Sequence, residues 1–276
     1  MPNQLTDDHI DELDERGYVI VPNFLDEEQR KEIAAAVRNI LKPWDEIREA
    51  PPQDHSDFRI FPFTESILNE AAINRDAIHF AQQWFRTDHV HFRPRGCLVR
   101  YPGFKWPSSS AHLDNGNNSL LPPTDDRTHK QIWFWIHPEP VAEGQAPLRL
   151  VAHEHQGDLS KAVPLICDGG TLCIFHTHTW HSASDYTLED SQRYTWGFAF
   201  GHGDYYWEGV RHYTDVGHNA EFQKFIGGLS ARDRELFRFP TAGHPYYTTQ
   251  TLAALEEHYP GWNANNEYSA APADHP

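Results

Sequence analysis

The sequence predicts a mainly β protein with flanking helices, and three observations support this prediction. Residues 97–101 and 193–200 are short runs rich in β-branched and aromatic side chains, bounded by turn-forming residues, which is typical of strands. Residues 169–175 have the form of a glycine turn that leads into a buried strand, and residues 176–181 are expected to continue that strand. Asp26, by contrast, is a good N-cap for a helix over 27–41, because apolar residues recur there at helical spacing.

Other helices are predicted on the N-terminal side of these strands. Residues 6–17 indicate a short capped helix that ends at a glycine. Ser66 is a candidate cap for a second helix that continues through Phe85. Residues 43–63 carry no clear periodicity, so they are expected to form a long loop that could fold over a site as a lid.

Length and composition favour one domain over the whole chain, 1–276. The 276 residues are 39% hydrophobic and 13% aromatic, which is enough to bury one sizeable core. We expect the core fold over about 5–200 and a C-terminal extension over 201–276. Within that extension, helices are predicted near 232–237 and 251–259, and the tail from Asn263 is expected to be loose or to contact a partner chain.

Charge and cysteine content limit the possible partners and the compartment. The formal net charge of −17 opposes binding to nucleic acid and to anionic membrane surfaces, since the protein's field would repel polyphosphate. Cys97, Cys167 and Cys173 give an odd count, and the N-terminus has no signal-peptide pattern. We therefore expect a cytoplasmic protein that acts on a small molecule. The sequence predicts no oligomeric state.

The motif His112-Leu113-Asp114 is the first candidate for chemistry. On an extended strand the side chains of His112 and Asp114 project from the same face, so both can bind one metal ion. His181, in Thr179-Trp180-His181, could supply a third ligand from a distant strand. Two histidines and one carboxylate, with the opposite side of the metal left open, are the ligand set of non-haem Fe(II) oxygenases.

This pattern has to be separated from chance, because the chain holds 19 histidines and four His-x-Asp triplets. The triplet at 9–11 falls in the predicted first helix, where residues two apart diverge. The triplet at 55–57 lies in a polar stretch after two prolines, and the one at 202–204 lies between glycines. The triplet at 112–114 differs, since it is expected at a strand end and is followed by the further motifs at 169–181 and Arg193.

At these residues the chain resembles the phytanoyl-CoA dioxygenase family of Fe(II)- and 2-oxoglutarate-dependent oxygenases. The likeness rests on residues 5–25 with the acidic helix after them, on the pair at 112–114, and on 169–181 with Arg193. It covers roughly residues 5–200. It implies a double-stranded β-helix, a cupin-like jelly roll of two facing sheets, with N-terminal helices buttressing one sheet and the site inside the barrel mouth.

The resemblance also implies roles for individual residues. His112, Asp114 and His181 would be the iron ligands and thus the catalytic centre, and Arg193 would pair with the distal carboxylate of 2-oxoglutarate. The implied reaction consumes O2 and 2-oxoglutarate, hydroxylates a C–H bond of a small molecule, and releases succinate and CO2. Because Asp114 is present, where related halogenases carry a small residue, hydroxylation is favoured over halogenation.

Two departures from the family pattern concern the substrate more than the chemistry. The usual Gly-Asp before the buried strand is Gly169-Gly170 here, and residues 146–155 replace a glycine- and proline-containing segment. Ser182 and Thr179 flank His181 and could hydrogen-bond the cosubstrate, although hydroxyls in such places also cap local backbone groups.

A cupin-type interpretation is the main alternative. His176 and His178 share parity on the predicted strand, so they could replace His181 as ligands or line the same pocket as structural histidines. Gly170, five residues and His176-Thr-His178 match the first part of a cupin motif, but the glutamate that should follow is absent. A cupin-type isomerase or dioxygenase that does not use 2-oxoglutarate stays open, as does a non-catalytic jelly-roll binding module.

Two further groups of residues lack an assigned role at this level. A basic run precedes the metal pair in an otherwise acidic chain, and it could attract an anionic substrate or be ordinary surface charge. Aromatic residues could wall a pocket, enclose a cationic group or fill the core. The basic run is Arg93, Arg95, Arg100 and Lys105, and the aromatic residues are Trp133, Trp135, Tyr205, Tyr206 and Trp207.

Overall fold

The computed structural model describes residues 4–106, 110–114, 126–204, 219–244, 246–262 and 267–268. Its helices lie mostly in the first third and the last fifth of the chain. The α-helices are α1 (Asp7–Arg16), α2 (Glu27–Ile40), α3 (Trp44–Ile47), α4 (Ser66–Glu70), α5 (Arg75–Phe85), α6 (Ala220–Gly228), α7 (Ala231–Glu235) and α8 (Thr249–His258).

The strands form two antiparallel sheets. The strands are β1 (Tyr18–Val21), β2 (Ser56–Ile60), β3 (Val90–Arg93), β4 (Gly96–Arg100), β5 (Gln131–His137), β6 (Arg149–Leu150), β7 (Val163–Pro164), β8 (Thr171–His176), β9 (His181–Ser182) and β10 (Arg193–His202). The larger sheet has the order β1-β8-β5-β10-β4-β2, with β3 also paired to β10, and the smaller has the order β7-β6-β9.

The long strand β10 organises the larger sheet. Its first residues pair with β4 and its last residues with β3, while the opposite edge pairs with β5. Side chains alternate between the two faces of such a sheet. On β10, the aromatic residues that alternate after Arg193 all enter the main core, as the sequence predicts; they are Tyr194, Trp196, Phe198 and Phe200.

The helices cover one face of the larger sheet, and the smaller sheet lies against the other. Phe80 of α5 meets Phe134 of β5 edge to face at 6.0 Å, within a core that also includes α1 and α2. A second cluster joins Trp133 and Phe175 of the larger sheet to Leu150 of the smaller one. The two sheets therefore face each other as a jelly roll, and the N-terminal helices buttress the larger sheet, as predicted.

The helix termini follow the local sequence signals. α1 ends at Gly17, whose φ of 85° is the left-handed conformation that glycine adopts without strain. Asp26 caps α2 by accepting a hydrogen bond from the Gln29 backbone N–H at 2.9 Å. The predicted positions of α1 and α2 are confirmed within about one residue at each end, which is the usual uncertainty of helix boundaries.

Two predictions about the region before the sheet are wrong. The predicted helix from Ser66 to Phe85 is interrupted, because Asn74 caps a new helix by accepting from Ala77 N at 2.9 Å. The predicted loop over 43–63 contains α3 and the edge strand β2, which pairs with β4 from Ser56 to Ile60. Backbone pairing along five residues holds this segment in the sheet, so it is not the long loop or lid expected.

The C-terminal helices share the main core. Phe61 packs edge to face on Phe222 of α6 at 6.3 Å and stacks on Phe237 at 6.1 Å. α7 and α8 correspond to predicted helices, whereas the sequence did not predict α6. Most of the tail after Asn263 lies outside the described residues, but Tyr268 stacks on Trp262 at 5.3 Å. None of the described helices combines the length and apolar character needed to cross a bilayer.

Candidate metal centre

His112, Asp114 and His181 converge between the two sheets. Each side chain offers one ligand atom, and these atoms lie within 4.8 Å of one another. An oxygen of Asp114 is 3.5 Å from Nε2 of His181 and 3.9 Å from Nε2 of His112. Within the described part of the chain, no other three His, Cys, Asp or Glu side chains meet in this way. The spacing suits a single metal ion held by three ligands.

Backbone hydrogen bonds fix this convergence. His112 and His181 form an antiparallel bridge, with the amide of His112 donating to the carbonyl of His181 at 2.9 Å and the reverse bond at 3.1 Å. The amide of Asp114 donates to the Thr177 carbonyl at 3.1 Å. His181 itself lies on β9, opposite Leu150 of β6. The candidate ligands thus come from residues about 70 apart in sequence, joined at the end of the smaller sheet.

The His181 ring is oriented for metal binding through Nε2. Its Nδ1 lies 2.8 Å from the Thr179 carbonyl, which can only accept, so Nδ1 carries the proton and Nε2 keeps its lone pair. Phe175 packs on this ring at 5.2 Å. Trp106 stacks on the His112 ring at 5.8 Å. Both imidazoles are therefore held in place by packing as well as by hydrogen bonds.

The electrostatics favour the ligand forms of the side chains. Burial lowers the pKa of His112, and the nearby His181 lowers it further, so the neutral imidazole is favoured. Burial alone would raise the pKa of Asp114. The neighbouring His181, followed by Arg95 and His112, outweighs burial and brings that pKa well below its usual value. The ionised carboxylate, which is the form that binds a metal, is thus favoured for Asp114.

Arg193 lies in the interior without an ion-pair partner among the described residues. The residue is 3% exposed, and its Nε has no hydrogen-bond acceptor. Burial, followed by the neighbouring charge of Arg100, lowers the pKa of Arg193 to about 9, so the guanidinium is still charged near neutral pH. A buried cation without a counter-charge is costly, and an anionic ligand would relieve that cost.

The surroundings of Arg193 are those of a small polar pocket. It starts β10 and pairs across the sheet with Arg100 of β4. Cys167 and Tyr186 interact with it electrostatically. His137 of β5 also faces it; the ring Nδ1 of His137 donates to the Tyr194 carbonyl at 3.0 Å, and its Nε2 is buried without a partner. The sequence did not single out His137, although it shares parity with Trp133 and Trp135 on β5.

The hydroxyls of Thr179 and Ser182 are engaged locally. Thr179 donates to the carbonyl of Gly17, and Ser182 donates to the carbonyl of Ala183 at 2.8 Å. Both side chains are buried. These bonds match the backbone-capping role, and binding of a cosubstrate by either hydroxyl stays a prediction.

His176 faces away from the metal centre. The strand that contains it, β8, ends at His176, so the predicted continuation to His181 is wrong: a turn separates the two, and His181 belongs to the other sheet. The ring of His176 stacks on Trp84 of α5 at 5.9 Å. His176 is thus structural, but it does not line the expected pocket. A cupin-type site that uses His176 as a ligand conflicts with this orientation.

The other His-x-Asp triplets have local roles. The Nδ1 atom of His9 accepts from the Thr6 amide at 3.1 Å, at the start of α1. Asp57 lies on β2 and pairs with Arg59. The Nδ1 atom of His202 accepts from the Asp204 amide at 3.1 Å. That these three triplets hold no metal stays a prediction.

Arg95 and two tryptophans line the same inner face of the larger sheet. The guanidinium of Arg95 lies 4.6 Å from the ring centre of Trp133 and 5.6 Å from that of Trp135. Arg93 lies 4.6 Å from the Trp133 ring on the same face. Tyr205, Tyr206 and Trp207, named with these aromatics from the sequence, lie outside the described residues.

Comparisons with known proteins support the fold. No family model matches the chain, and no curated protein matches it either. Among solved structures, the non-heme alpha ketoglutarate dependent carbocyclase SnoK from nogalamycin biosynthesis aligns at 16% identity and a TM-score of 0.54, covering 72% of this chain and 86% of SnoK.

Two further solved structures align with the chain. HygX from Streptomyces hygroscopicus, with nickel and 2-oxoglutarate bound, has 10% identity, a TM-score of 0.55, and coverage of 74% of this chain and 89% of HygX. EvdO2 from Micromonospora carbonacea var. aurantiaca, complexed with 2-oxoglutarate, has 13% identity, a TM-score of 0.54, and coverage of 72% of this chain and 92% of EvdO2. At such identities the likeness establishes the fold.

Proposed function

We propose that this protein is an Fe(II)- and 2-oxoglutarate-dependent oxygenase that hydroxylates a C–H bond of a small molecule and releases succinate and CO2. The observation that carries this proposal is a combination of two features in one interior. A His-Asp-His ligand set converges on one point, and an uncompensated guanidinium, Arg193, lies on the facing sheet. Structural neighbours that contain 2-oxoglutarate add support.

The donor set suits ferrous iron. Two neutral imidazoles and one carboxylate would occupy one side of an octahedral ion and leave about three positions for a bidentate 2-oxo acid and for O2. When bound, Fe(II) would activate O2 for oxidation of a C–H bond, using electrons from the oxidative decarboxylation of 2-oxoglutarate. His112, Asp114 and His181 would hold the ion, and the Thr179 carbonyl would keep Nε2 of His181 available.

Arg193 suits the distal carboxylate of 2-oxoglutarate. A planar guanidinium can form two parallel charge-assisted hydrogen bonds with a carboxylate, an arrangement that lysine offers less rigidly. The Arg193 side chain is buried, so a carboxylate there would be shielded from water and strongly bound. Binding at this end would direct the keto-acid end of the molecule toward the metal ligands.

Packing around the ligands would protect the reacting centre. Phe175 covers one side of the His181 ring, and Trp106 covers the His112 ring. These apolar surfaces limit access of water and hold the imidazoles in one orientation, which keeps the reacting groups aligned. The reaction would then depend on which C–H bond the substrate presents to the metal.

The choice of hydroxylation over halogenation rests on Asp114. Its carboxylate would take the place that a halide would need on the metal, and its lowered pKa favours the ionised form. The fold is shared with a carbocyclase and an epimerase, by the descriptions of SnoK and SnoN. Hydroxylation is the simplest outcome of oxygen activation beside a C–H bond, and we propose it on that basis.

We also propose a cytoplasmic location and a small-molecule substrate for this protein. The three cysteines are free in the structure, which suits a reducing cytoplasm. The net charge of −17 supports a small-molecule substrate over nucleic acid or a membrane surface. We also propose that residues 1–276 act as a single oxygenase domain.

The proposal is tested by succinate formation. Fe(II)-loaded protein should release succinate from 2-oxoglutarate in the presence of O2, and a screen of small amines, acids and phosphonates should find compounds that stimulate the release. The matched control is the same protein without iron. Turnover of a substrate by the metal-loaded protein without any 2-oxoglutarate would overturn the proposal and favour the cupin-type alternative.

A further inference from the structure

The inner face of the larger sheet carries a second group of hydrogen-bond donors, separate from Arg193. Arg95 leads from β3 into β4, and its guanidinium lies over the rings of Trp133 and Trp135. Arg95 also interacts electrostatically with the metal ligand Asp114. The guanidinium therefore lies on the side of the larger sheet that faces the candidate metal centre.

These donors lack acceptors. The indole Nε1 atoms of Trp133 and Trp135 are buried without a hydrogen-bond partner. Among the described residues, no carboxylate lies within ion-pair distance of the Arg95 guanidinium, and no group accepts a hydrogen bond from it. Burial lowers the pKa of Arg95, and the charge of Asp114 opposes this shift only in part. Indole N–H and guanidinium groups can donate but cannot accept, so these three residues cannot satisfy one another.

The positive charge of this inner surface contrasts with the negative net charge of the whole chain. The chain has a net charge of −17, yet this inner surface presents cations, with Arg93 and Arg95 both stacked on Trp133. Buried donors without acceptors, and a cation without a counter-ion, destabilise a protein unless a ligand completes them. The complementary ligand supplies several acceptor oxygens and negative charge.

We propose that Arg95, Trp133 and Trp135 form a substrate subsite that binds an oxyanion group of the primary substrate, either a carboxylate or a phosphonate or phosphate. The inference rests on the proposed function, because it assumes that the neighbouring ligand triad is the reacting centre. The indole rings would flank the adjoining carbon skeleton of the substrate. The subsite thereby fixes which end of the substrate lies away from the metal.

The subsite is distinct from the pocket around Arg193. On β5, Trp133 lies under Arg95 and His137 faces Arg193. These two β5 residues are four apart, which corresponds to about 13 Å along a strand. Arg193 interacts with Arg100, and Arg95 interacts with Asp114. The two guanidinium groups thus have different neighbours, and on that basis we assign them to different anions.

A structural role for Arg95 makes different predictions. If Arg95 only packed on Trp133, its replacement would lower stability and would affect neutral and anionic ligands equally. If it only balanced the charge of Asp114, its replacement would act through the metal and through 2-oxoglutarate binding. A substrate subsite predicts instead a selective loss of affinity for anions while 2-oxoglutarate binding is retained.

The test uses anaerobic Fe(II)-loaded protein saturated with 2-oxoglutarate and titrated calorimetrically with propionate, methylphosphonate and, as the neutral match, propionamide. Arg95→Gln should weaken binding of the preferred anion by about 10- to 100-fold, as expected for lost charged hydrogen bonds. The affinity for 2-oxoglutarate should stay unchanged. The preference between propionate and methylphosphonate then identifies the type of oxyanion.

Two further variants keep the result interpretable. Trp135→Phe retains a ring but removes the N–H, and should weaken anion binding by about 2- to 10-fold. Arg48→Gln, an exposed charge removal on the surface, should change nothing beyond error. Unchanged anion affinity in both Arg95→Gln and Trp135→Phe would overturn the subsite. Failure of wild-type protein to bind 2-oxoglutarate would instead sink the proposed function, with anion binding at Arg95 still measurable.

Discussion

The two faces of the larger sheet are made by alternate residues of the same strands, yet they serve different purposes. On β5, Phe134 points to the helices and is fully buried among aromatic rings. Its neighbours Trp133 and Trp135 point to the facing sheet and leave their N–H groups unpaired. The helix-side face packs into the main core, whereas the inner face carries buried N–H donors without partners. Strand alternation thus separates stability from binding within single strands.

His176 and His181 show this difference most sharply. They are five residues apart, and both are almost fully buried. His176 stacks on Trp84 on the helix side, and burial keeps its pKa well below the usual value. His181 lies on the smaller sheet and forms an antiparallel bridge with His112. Residue type and exposure do not distinguish the two histidines; the turn between them does.

The largest expected effect is on this pair. His181→Ala should reduce iron-dependent succinate formation by more than about 100-fold, since even supporting residues around metal ligands typically cost 10- to 100-fold. His176→Ala should lower the thermal midpoint but retain succinate formation. Activity assays with matched iron content and thermal unfolding curves would check both. If His176 proves indispensable and His181 dispensable, the ligand assignment is wrong.

The next effect contrasts the two faces in stability. Phe134→Ala should lower the free energy of unfolding by about 3–5 kcal/mol, because it removes a ring packed against Phe80 and Phe198. Thr195→Val on the inner face removes a buried hydroxyl that has no partner, so stability should be unchanged or slightly raised. Urea titrations measure both. Equal destabilisation by the two variants would contradict the division between faces.

A smaller effect is expected at Arg193. Arg193→Lys keeps the charge but loses the planar fork, and should raise the KM for 2-oxoglutarate by about 10- to 100-fold. Thermal stability should fall little or even rise, because Arg193 forms no ion pair with a described residue that the variant would lose. Arg48→Gln provides the matched surface control. An unchanged KM in Arg193→Lys would place the cosubstrate elsewhere.

The smallest effect concerns pH. Burial, then the charge of Arg193, lowers the pKa of His137 from 6.5 to about 3 in the folded protein. A depressed folded pKa means that the folded state favours neutral His137, so its contribution is present above pH 6.5 and is lost as pH falls toward 3. The slope is on the order of 1 kcal/mol per pH unit. Unfolding titrations at pH 7 and 5 should show a smaller loss in His137→Asn than in wild type.

Much of this structure was predictable from local sequence signals. The cap at Asp26, the glycine stop at Gly17 and the strand that begins at Arg193 each follow from neighbouring residues. The ligand pair at 112–114 also depends on local spacing. These features were predictable because propensity, capping and side-chain alternation act over a few residues.

The remaining features depend on contacts between distant segments. The direction of His176 is set by where β8 ends and by packing on Trp84, neither of which its spacing reveals. Pairing of 56–60 with β4 is likewise non-local. The break before α5 had a local signal in the Asn74 cap, which the continuous helical pattern masked. The role proposed for Arg95 is also non-local, because it depends on β5, which places two indoles beneath the guanidinium.

The most direct measurement is an anaerobic titration of the Fe(II)-loaded protein with 2-oxoglutarate, followed by visible absorption. A weak charge-transfer band should develop in wild type and in His176→Ala as 2-oxoglutarate chelates the iron, and it should require far more 2-oxoglutarate in Arg193→Gln. A wild-type protein that retains its iron yet shows no band at saturating 2-oxoglutarate would contradict the assignment of this interior to iron and 2-oxoglutarate.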